Sequence, residues 1–147
     1  MAPPISHPSH SSTKTHHISF RVYYEDTDAG GIVYHANYLR FAERARTEFL
    51  RSTGYDHQRV KNEHNILLVV RHAEIDYRAP ARLDDLLEVR TRAVHCGNTS
   101  LQLEQCVYCG DRLITDMKVT VVAVTPEGKA VRIPAALREV FKICPDF

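Results

Sequence analysis

One long amphipathic segment constrains the fold of this 147-residue chain more than any other feature. It runs from about residue 36 to residue 53, and Gly54 follows as a left-handed stop. Its apolar residues recur at the spacing of one helical face: Tyr38, Ala42, Ala45 and Phe49. Most of the other side is charged: Glu43, Arg44, Arg46, Glu48 and Arg51. The pattern predicts a single long helix that must bury one face.

The segments on either side of this helix alternate between apolar and polar residues, which is the period of a β-strand. A first strand is predicted to start at Ile18 and to end its buried row at Tyr24. Shorter helices are predicted near residues 57–61 and after Pro134. Four further strand segments, two of them ended by the Gly-Asn and Gly-Asp turn signals, span about residues 65–80, 86–96, 99–109 and 112–125.

One long helix and about five strands joined mostly by tight turns predict an α+β domain with an antiparallel sheet. The long helix is the one element able to cover a face of that sheet, so we expect the sheet to wrap around it. Such a sheet leaves open strand edges, which proteins usually cover or pair. Dimerisation through an edge is therefore expected.

Composition bounds the function. A net charge of +1 argues against a nucleic-acid-binding surface, and no apolar run is long enough to span a membrane. Residues 1–15 are rich in Pro, Ser and His and lack the apolar stretch of a signal peptide, so we expect a disordered tail followed by one domain over residues 16–147. The four cysteines are expected to be free thiols in a cytoplasmic protein.

The stretch YYEDTDAGGIVYHANYL, residues 23–39, concentrates polar chemistry between the first strand and the long helix. A helix N-terminus offers unpaired N–H groups and partial positive charge. Gly30 and Gly31 carry no side chain, so we expect a ligand carbonyl to approach the backbone there. A carboxylate at Asp28 opposite such amides suits acyl chemistry, and a thioester needs the least further help because a thiolate leaves readily.

RVYYEDTDAGGIVYHANYLRFAERARTEFLR resembles the hotdog-fold acyl-CoA thioesterases of the YbgC type, relatives of 4-hydroxybenzoyl-CoA thioesterase. YRAPARLDDLLEV, residues 77–89, is similar to a second stretch of that family, and the resemblance covers about residues 20–141. It implies a hotdog fold, in agreement with the sheet wrapped around a helix. It also implies hydrolysis of an acyl-CoA to free acid and coenzyme A without cofactor or metal, by a homodimer or homotetramer.

The resemblance also implies residue roles. Asp28 matches the family's catalytic aspartate, which acts either as nucleophile or as base for a water. Tyr24 and His35 match polar residues that assist it, and the backbone N–H of Tyr34 or His35 falls where the oxyanion contact would be. With Gly30 and Gly31, Tyr34 completes the expected substrate-binding set. Asp26 is expected to stiffen the loop, and Asn37 and Tyr38 to set the helix start.

Other functions remain open on the sequence. A non-catalytic module that binds an acyl group or an acyl carrier protein would use the same fold. A zinc deaminase is suggested by HAE at residues 72–74 and CVYC at residues 106–109, but two residues three apart on a strand point to opposite faces. A hotdog hydratase is a weaker rival. Cations for the coenzyme A phosphates stay undecided among Arg78, Arg82, Lys118 and Arg132.

Overall fold

The computed structural model describes residues 15–141, so nearly all of the predicted tail lies outside the described residues. A short 3-10 helix, Tyr24–Asp26, precedes the first long helix. The helices and strands occur in the order β1 (His16–Arg21), α1 (Asn37–Ser52), α2 (His57–His64), β2 (Leu67–Tyr77), β3 (Leu86–Cys96), β4 (Ser100–Cys109), β5 (Arg112–Val124), β6 (Ala130–Val131) and α3 (Ala135–Val140).

The strands form one antiparallel sheet in the order β1-β3-β4-β5-β2, and β6 pairs with β5. The α+β class and the sheet wrapped around one long helix are confirmed. The sequence predicted about five strands, and the sixth is only two residues long. A two-residue strand is too short to show a period-two pattern, so this element could not be found by alternation.

Helix α1 buries the predicted apolar face against the concave side of the sheet. Ala42 and Ala45 are fully buried and let the helix lie close to the strands, while Phe41 and Leu50 widen the buried stripe beyond the predicted residues. Leu87 and Val89 of β3 are also fully buried in the same core. After the helix, Gly54 adopts a φ of +95°, the left-handed conformation expected there.

The predicted first strand extended too far. Strand β1 ends at Arg21, and Tyr24, which was expected to close the buried row, is 82% exposed. Val22 is the last residue of the row to be buried, and its N–H donates to Asp85 O at 2.8 Å. The chain then turns into the 3-10 helix, because the Asp26 N–H donates to Tyr23 O at 2.9 Å.

Strand β2 forms an edge of the sheet within the part of the chain that the structure describes, and most of its residues are exposed. Leu67, Val69, Val70 and Tyr77 of this strand are between 37% and 48% exposed, although such side chains are usually buried. Among the helices found within residues 15–141, none is both long and apolar enough to cross a membrane.

Candidate active site

A buried carboxylate fastens the loop between β1 and α1. Asp26 is only 7% exposed, and its Oδ2 accepts a 2.7 Å hydrogen bond from the Tyr23 N–H. Its Oδ1 accepts a 2.8 Å bond from Asn37 Nδ2, at the first residue of the helix. Its carbonyl oxygen accepts the Tyr34 N–H at 2.9 Å. The expectation that Asp26 stiffens the loop is confirmed, and Asn37 is shown to join the loop to the helix start.

Asp28 lies at the tip of this loop and is exposed. Its Oδ1 accepts a 2.8 Å hydrogen bond from the Gly30 N–H, and its carbonyl accepts the Gly31 N–H at 3.0 Å. The side chain is thereby held in a turn that mimics a backbone turn. Oδ2 has no hydrogen-bond partner among the loop and helix residues that the structure describes, so it is open to a ligand or a water.

The two glycines serve the loop in different ways. A Cβ on Gly30 would lie 3.2 Å from Asp28 Oδ1, so glycine there lets the carboxylate rest against the backbone. Gly31 has a φ of +80°, a conformation that other residues adopt at a cost, and a Cβ there would meet nothing within 4 Å. Both glycines therefore help to shape the turn around Asp28, as the turn composition of this stretch also suggests.

A cavity of about 430 Å³ adjoins the Asp28 carboxylate. Its volume falls in the range of small-molecule sites. The walls come from the loop, the first turn of α1 and the segment after β2: Ile32, Val33, His35, Tyr38, Tyr77, Arg78, Ala79 and Pro80. Burial raises the pKa of the Tyr38 phenol, so this wall residue stays neutral, and its hydroxyl accepts the Ala81 N–H at 3.3 Å.

Two backbone amides at the start of α1 are open. Within residues 15–141, no acceptor is found for the N–H groups of His35 and Ala36. The Tyr34 N–H is bonded to Asp26 O, which argues against the predicted oxyanion contact at Tyr34. Ala36 occupies the N-cap position without a side-chain cap, so the amides of His35 and Ala36, just before the helix, remain available to an anion.

Tyr77, which was not predicted as a site residue, fixes one of these amides. Its hydroxyl donates to His35 O at 2.9 Å, and its ring packs 5.9 Å from the Tyr38 ring. A peptide unit is planar and trans, so anchoring His35 O orients the Ala36 N–H on the other side of the same plane. The Tyr34 carbonyl is anchored likewise by the Asn37 N–H at 2.8 Å, which orients the His35 N–H.

Of the two residues predicted to assist Asp28, His35 lines the same cavity and Tyr24 does not. His35 lines the cavity and stacks its ring 4.6 Å from that of Tyr34. Tyr24 is not among the cavity residues and turns its side chain to solvent, so the predicted assisting role at Tyr24 is not supported. Its backbone carbonyl instead accepts hydrogen bonds from Thr27. The cause is the strand that stops early, which shifts Tyr24 out of the buried row.

Apart from Arg78, the other candidate residues that the sequence offered do not line this cavity. Arg78 is the one of the four candidate phosphate ligands that lines it, and a 3.8 Å ion pair joins Arg78 to Asp76. In the deaminase-like pattern, Cys106 lies near Asp116 on the solvent side of the sheet, whereas Cys109 packs against the core. The two thiols therefore face opposite sides, as their spacing on a strand predicted.

The Asp28 loop, the open amides and the second stretch after β2 all fall within one family match. A family model described as the Thioesterase-like superfamily matches residues 22–141. The chain belongs to this superfamily. The match includes the loop, α1 and every strand after it.

Two relatives of this superfamily member are YbgC thioesterases. The acyl-CoA thioester hydrolase YbgC of Escherichia coli O6:H1 is 49% identical over 107 residues, 72% of this chain and 79% of that protein. The acyl-CoA thioesterase YbgC of Haemophilus influenzae is 41% identical over 122 residues, 82% of this chain and 90% of that protein. The resemblance to the YbgC thioesterases is confirmed.

A solved structure agrees with the fold of this thioesterase-like chain. The crystal structure of a probable thioesterase from Bartonella henselae matches with a TM-score of 0.80 and 38% sequence identity. The match covers 82% of this chain and 100% of that one. The hotdog fold expected from the sequence is therefore confirmed together with its α+β class.

Proposed function

We propose that the protein hydrolyses an acyl-CoA thioester to a free acid and coenzyme A, with Asp28 as the reacting carboxylate. The observation that carries the proposal is the Asp28 side chain on the wall of a cavity beside the open amides of α1. The YbgC thioesterases, at 49% and 41% identity, support the substrate class. No cofactor or metal is needed for this chemistry.

Two routes fit the geometry. In the first, Asp28 Oδ2 takes a proton from water while the water oxygen bonds to the thioester carbon. The C–S bond then breaks, and the thiolate of coenzyme A takes up a proton. In the second, Oδ2 itself attacks the carbon, the thiolate leaves, and water cleaves the resulting mixed anhydride. In both routes Gly30 holds Oδ1 and leaves Oδ2 to react.

The negative charge that develops on the carbonyl oxygen is accepted by the open amides of His35 and Ala36. One such donor typically lowers the activation barrier by about 3–4 kcal/mol. The His35 imidazole, on the cavity wall, orients the water or the carboxylate. The exposed guanidinium of Arg78 is the candidate for a phosphate of coenzyme A, since guanidinium groups pair well with phosphate oxygens.

A thiol-release assay with a panel of acyl-CoAs tests this function. The panel covers short, medium, long and aromatic acyl groups, each also presented on an acyl carrier protein in a second arm. We expect release of coenzyme A from at least one class, with one thiol per acid formed. Saturable binding of acyl-CoA without thiol release would instead establish a non-catalytic acyl-binding module.

We further propose that the protein assembles as a homodimer or homotetramer through β2. The support is the free edge itself, which offers unpaired backbone groups next to exposed apolar side chains. The opposite edge, β1, exposes His17, Ser19 and Arg21 instead, a composition that resists pairing. A cytoplasmic location stays a prediction from the sequence.

Light scattering after gel filtration tests this assembly with Val70→Lys on β2 and Val94→Lys on β3. Val70 is 46% exposed and Val94 is 39% exposed, so the pair is matched in chemistry and accessibility. We expect Val70→Lys to shift the protein toward monomer and Val94→Lys to leave its mass unchanged. A wild-type monomer at tens of micromolar, or equal effects of the two lysines, would contradict the proposal.

A further inference from the structure

The Tyr38 side chain carries a hydroxyl group whose proton is not used within the part of the chain that the structure describes. Tyr38 lies in the first turn of α1 and is only 3% exposed, yet it lines the Asp28 cavity. Its hydroxyl oxygen accepts the Ala81 N–H at 3.3 Å, and within residues 15–141 no acceptor is found for the O–H proton. A phenol hydroxyl is both donor and acceptor, so its donor side is left for a ligand.

The polar groups nearest to this hydroxyl are already engaged elsewhere. The Tyr77 ring packs 5.9 Å from the Tyr38 ring, but the Tyr77 hydroxyl donates to His35 O at 2.9 Å. The Asp85 carboxylate acts on the Tyr38 phenol only through its charge, and its Oδ2 accepts the Arg82 N–H at 2.9 Å. A buried donor without a partner costs free energy and calls for an explanation. A ligand in the cavity supplies one.

The surroundings of Tyr38 favour an uncharged acceptor. Burial raises the pKa of the phenol, and the hydrogen bond from the Ala81 N–H offsets this only in part, so the O–H proton is present at neutral pH. A hydroxyl that accepts one hydrogen bond donates the next one more strongly, because the bonds polarise each other. An ionised ligand group would give up its hydration for a single neutral donor. An amide carbonyl oxygen loses less and fits better.

The position of Tyr38 in the cavity indicates which amide this is. Asp28, Tyr38 and Arg78 all line one cavity. Tyr38 comes two residues after Ala36, the N-cap of α1, or about 3 Å farther along the helix than the open amide. That amide takes the thioester oxygen. On the acyl side a saturated chain offers no acceptor, whereas on the thiol side an amide follows the sulfur after two methylene groups.

We propose that the Tyr38 hydroxyl donates a hydrogen bond to the carbonyl oxygen of the coenzyme A amide nearest to the sulfur. At about 30 Å³ for each non-hydrogen atom, the share of a water molecule, a cavity of about 430 Å³ holds roughly fourteen atoms. This is enough for the thioester group and that amide. The sequence predicted Tyr38 only as a residue that sets the helix start, so substrate binding is an additional role.

The inference rests on the proposed function for its ligand, but not on turnover, so binding is tested first. Calorimetric titration of the full chain with coenzyme A should show an affinity about ten-fold weaker for Tyr38→Phe, the effect of one hydrogen bond. Adenosine 3′,5′-bisphosphate, which lacks the amide-bearing arm, should bind wild type and variant alike. Tyr108→Phe makes the same change on β4, where the Tyr108 ring lies under Arg90, and is the matched control.

A second measurement separates substrate binding from a structural role, because Tyr38→Phe also leaves the Ala81 N–H without its acceptor. The same acyl group is presented on three thiols: N-acetylcysteamine, which has the amide, 2-mercaptoethyl acetate, which keeps only the carbonyl, and pentanethiol, which has neither. Tyr38→Phe should lower kcat/KM roughly ten-fold for the first two, mainly through KM. It should leave the pentanethiol ester unchanged. A purely structural role would lower all three alike.

Several outcomes would overturn the proposal. These are no saturable binding of coenzyme A, equal affinity in Tyr38→Phe and wild type, or a loss shared by adenosine 3′,5′-bisphosphate or by all three thiols. If Tyr38→Phe does not fold, the wild type decides: it should use the two carbonyl-bearing thioesters about ten-fold better than the pentanethiol ester, and equal use would refute the contact. Tyr38-dependent binding of coenzyme A without hydrolysis of any thioester would refute the proposed function and leave this contact standing.

Discussion

Replacing Asp26 by alanine should destabilise the protein more than any other single change in the loop. The carboxylate is 7% exposed and accepts two hydrogen bonds, from the Tyr23 N–H at 2.7 Å and from Asn37 Nδ2 at 2.8 Å. Hydrogen bonds to a charged group contribute about 1.5–3 kcal/mol each, and a buried donor left unpaired carries its own desolvation cost. The two bonds together give an expected loss of about 3–6 kcal/mol in the free energy of unfolding.

The assay is thermal unfolding at fixed protein concentration, since assembly shifts the apparent stability. At about 2.1 cal/mol/K of unfolding entropy per residue, a chain of 147 residues should lose roughly 10–19 °C in Tm. Asn37→Ala removes only the second bond and should cost about half as much. Asp111→Ala, in an exposed turn, is the control and should stay within about 0.5 kcal/mol of wild type.

The double variant Asp26→Ala with Asn37→Ala decides whether the two side chains act together. Because they share one hydrogen bond, the combined loss should fall short of the sum of the single losses by about 1 kcal/mol or more. A loss below about 1 kcal/mol for Asp26→Ala, or strictly additive losses in the double variant, would refute the role given to this carboxylate.

Three further changes test other parts of the structure. Gly31→Ala, at a φ of +80° with open space around its Cβ, should lower the free energy of unfolding by roughly 1–2 kcal/mol through backbone strain alone, and a chemical denaturation curve would show it. Tyr77→Phe should lower kcat about ten-fold with KM little changed, because the Ala36 amide loses its anchor, whereas Tyr24→Phe should stay within two-fold of wild type; equal effects would contradict the assignment. Burial is the main cause, and the Asp116 carboxylate the second, that raises the pKa of Cys106 to about 11. Iodoacetamide at pH 8 should therefore label this thiol roughly 100-fold more slowly than a cysteine peptide with a pKa near 8.5. Mass spectrometry measures the labelling, and labelling of Cys106 at the peptide rate would contradict this prediction.

The sequence predicted α1 well because one periodic pattern carried the whole element. The predicted stripe from Tyr38 to Phe49 is buried, and the stop at Gly54 is observed. Patterns of this kind reflect burial of one face, which local spacing records directly. The class of the fold was predicted by the same reasoning, because the one long helix is the element able to cover a face of the sheet.

The errors arose where a specific side-chain contact, and not a periodic pattern, decides the structure. Arg46 fits the charged side of α1 by spacing, yet Gln105, 59 positions away, draws it under the sheet. Tyr24 continues the alternation of β1, but the hydrogen bonds of Asp26 turn the chain before it. The Arg46 contact is distant in sequence and the Asp26 contacts are local, but neither follows the period of a helix or a strand, so periodicity alone could not have found them.

The candidate site was predicted at the level of the loop and less well at the level of individual groups. Asp28 and His35 do line one cavity. The available amides shift to His35 and Ala36 because Asp26 O takes up the Tyr34 N–H. Tyr77 belongs to the second stretch that carried the family resemblance, and its hydrogen bond to His35 O gives that stretch a physical role beside the Asp28 loop.

Substitution of Asp28 by asparagine, followed by steady-state hydrolysis of the best acyl-CoA from the panel, tests the central claim most directly. The side chain keeps its shape and can still accept from the Gly30 N–H, so the fold and Tm should be unchanged. We predict a loss of about 100-fold or more in kcat, while Asp111→Asn retains wild-type turnover. A correctly folded Asp28→Asn variant with near-normal kcat would contradict the account.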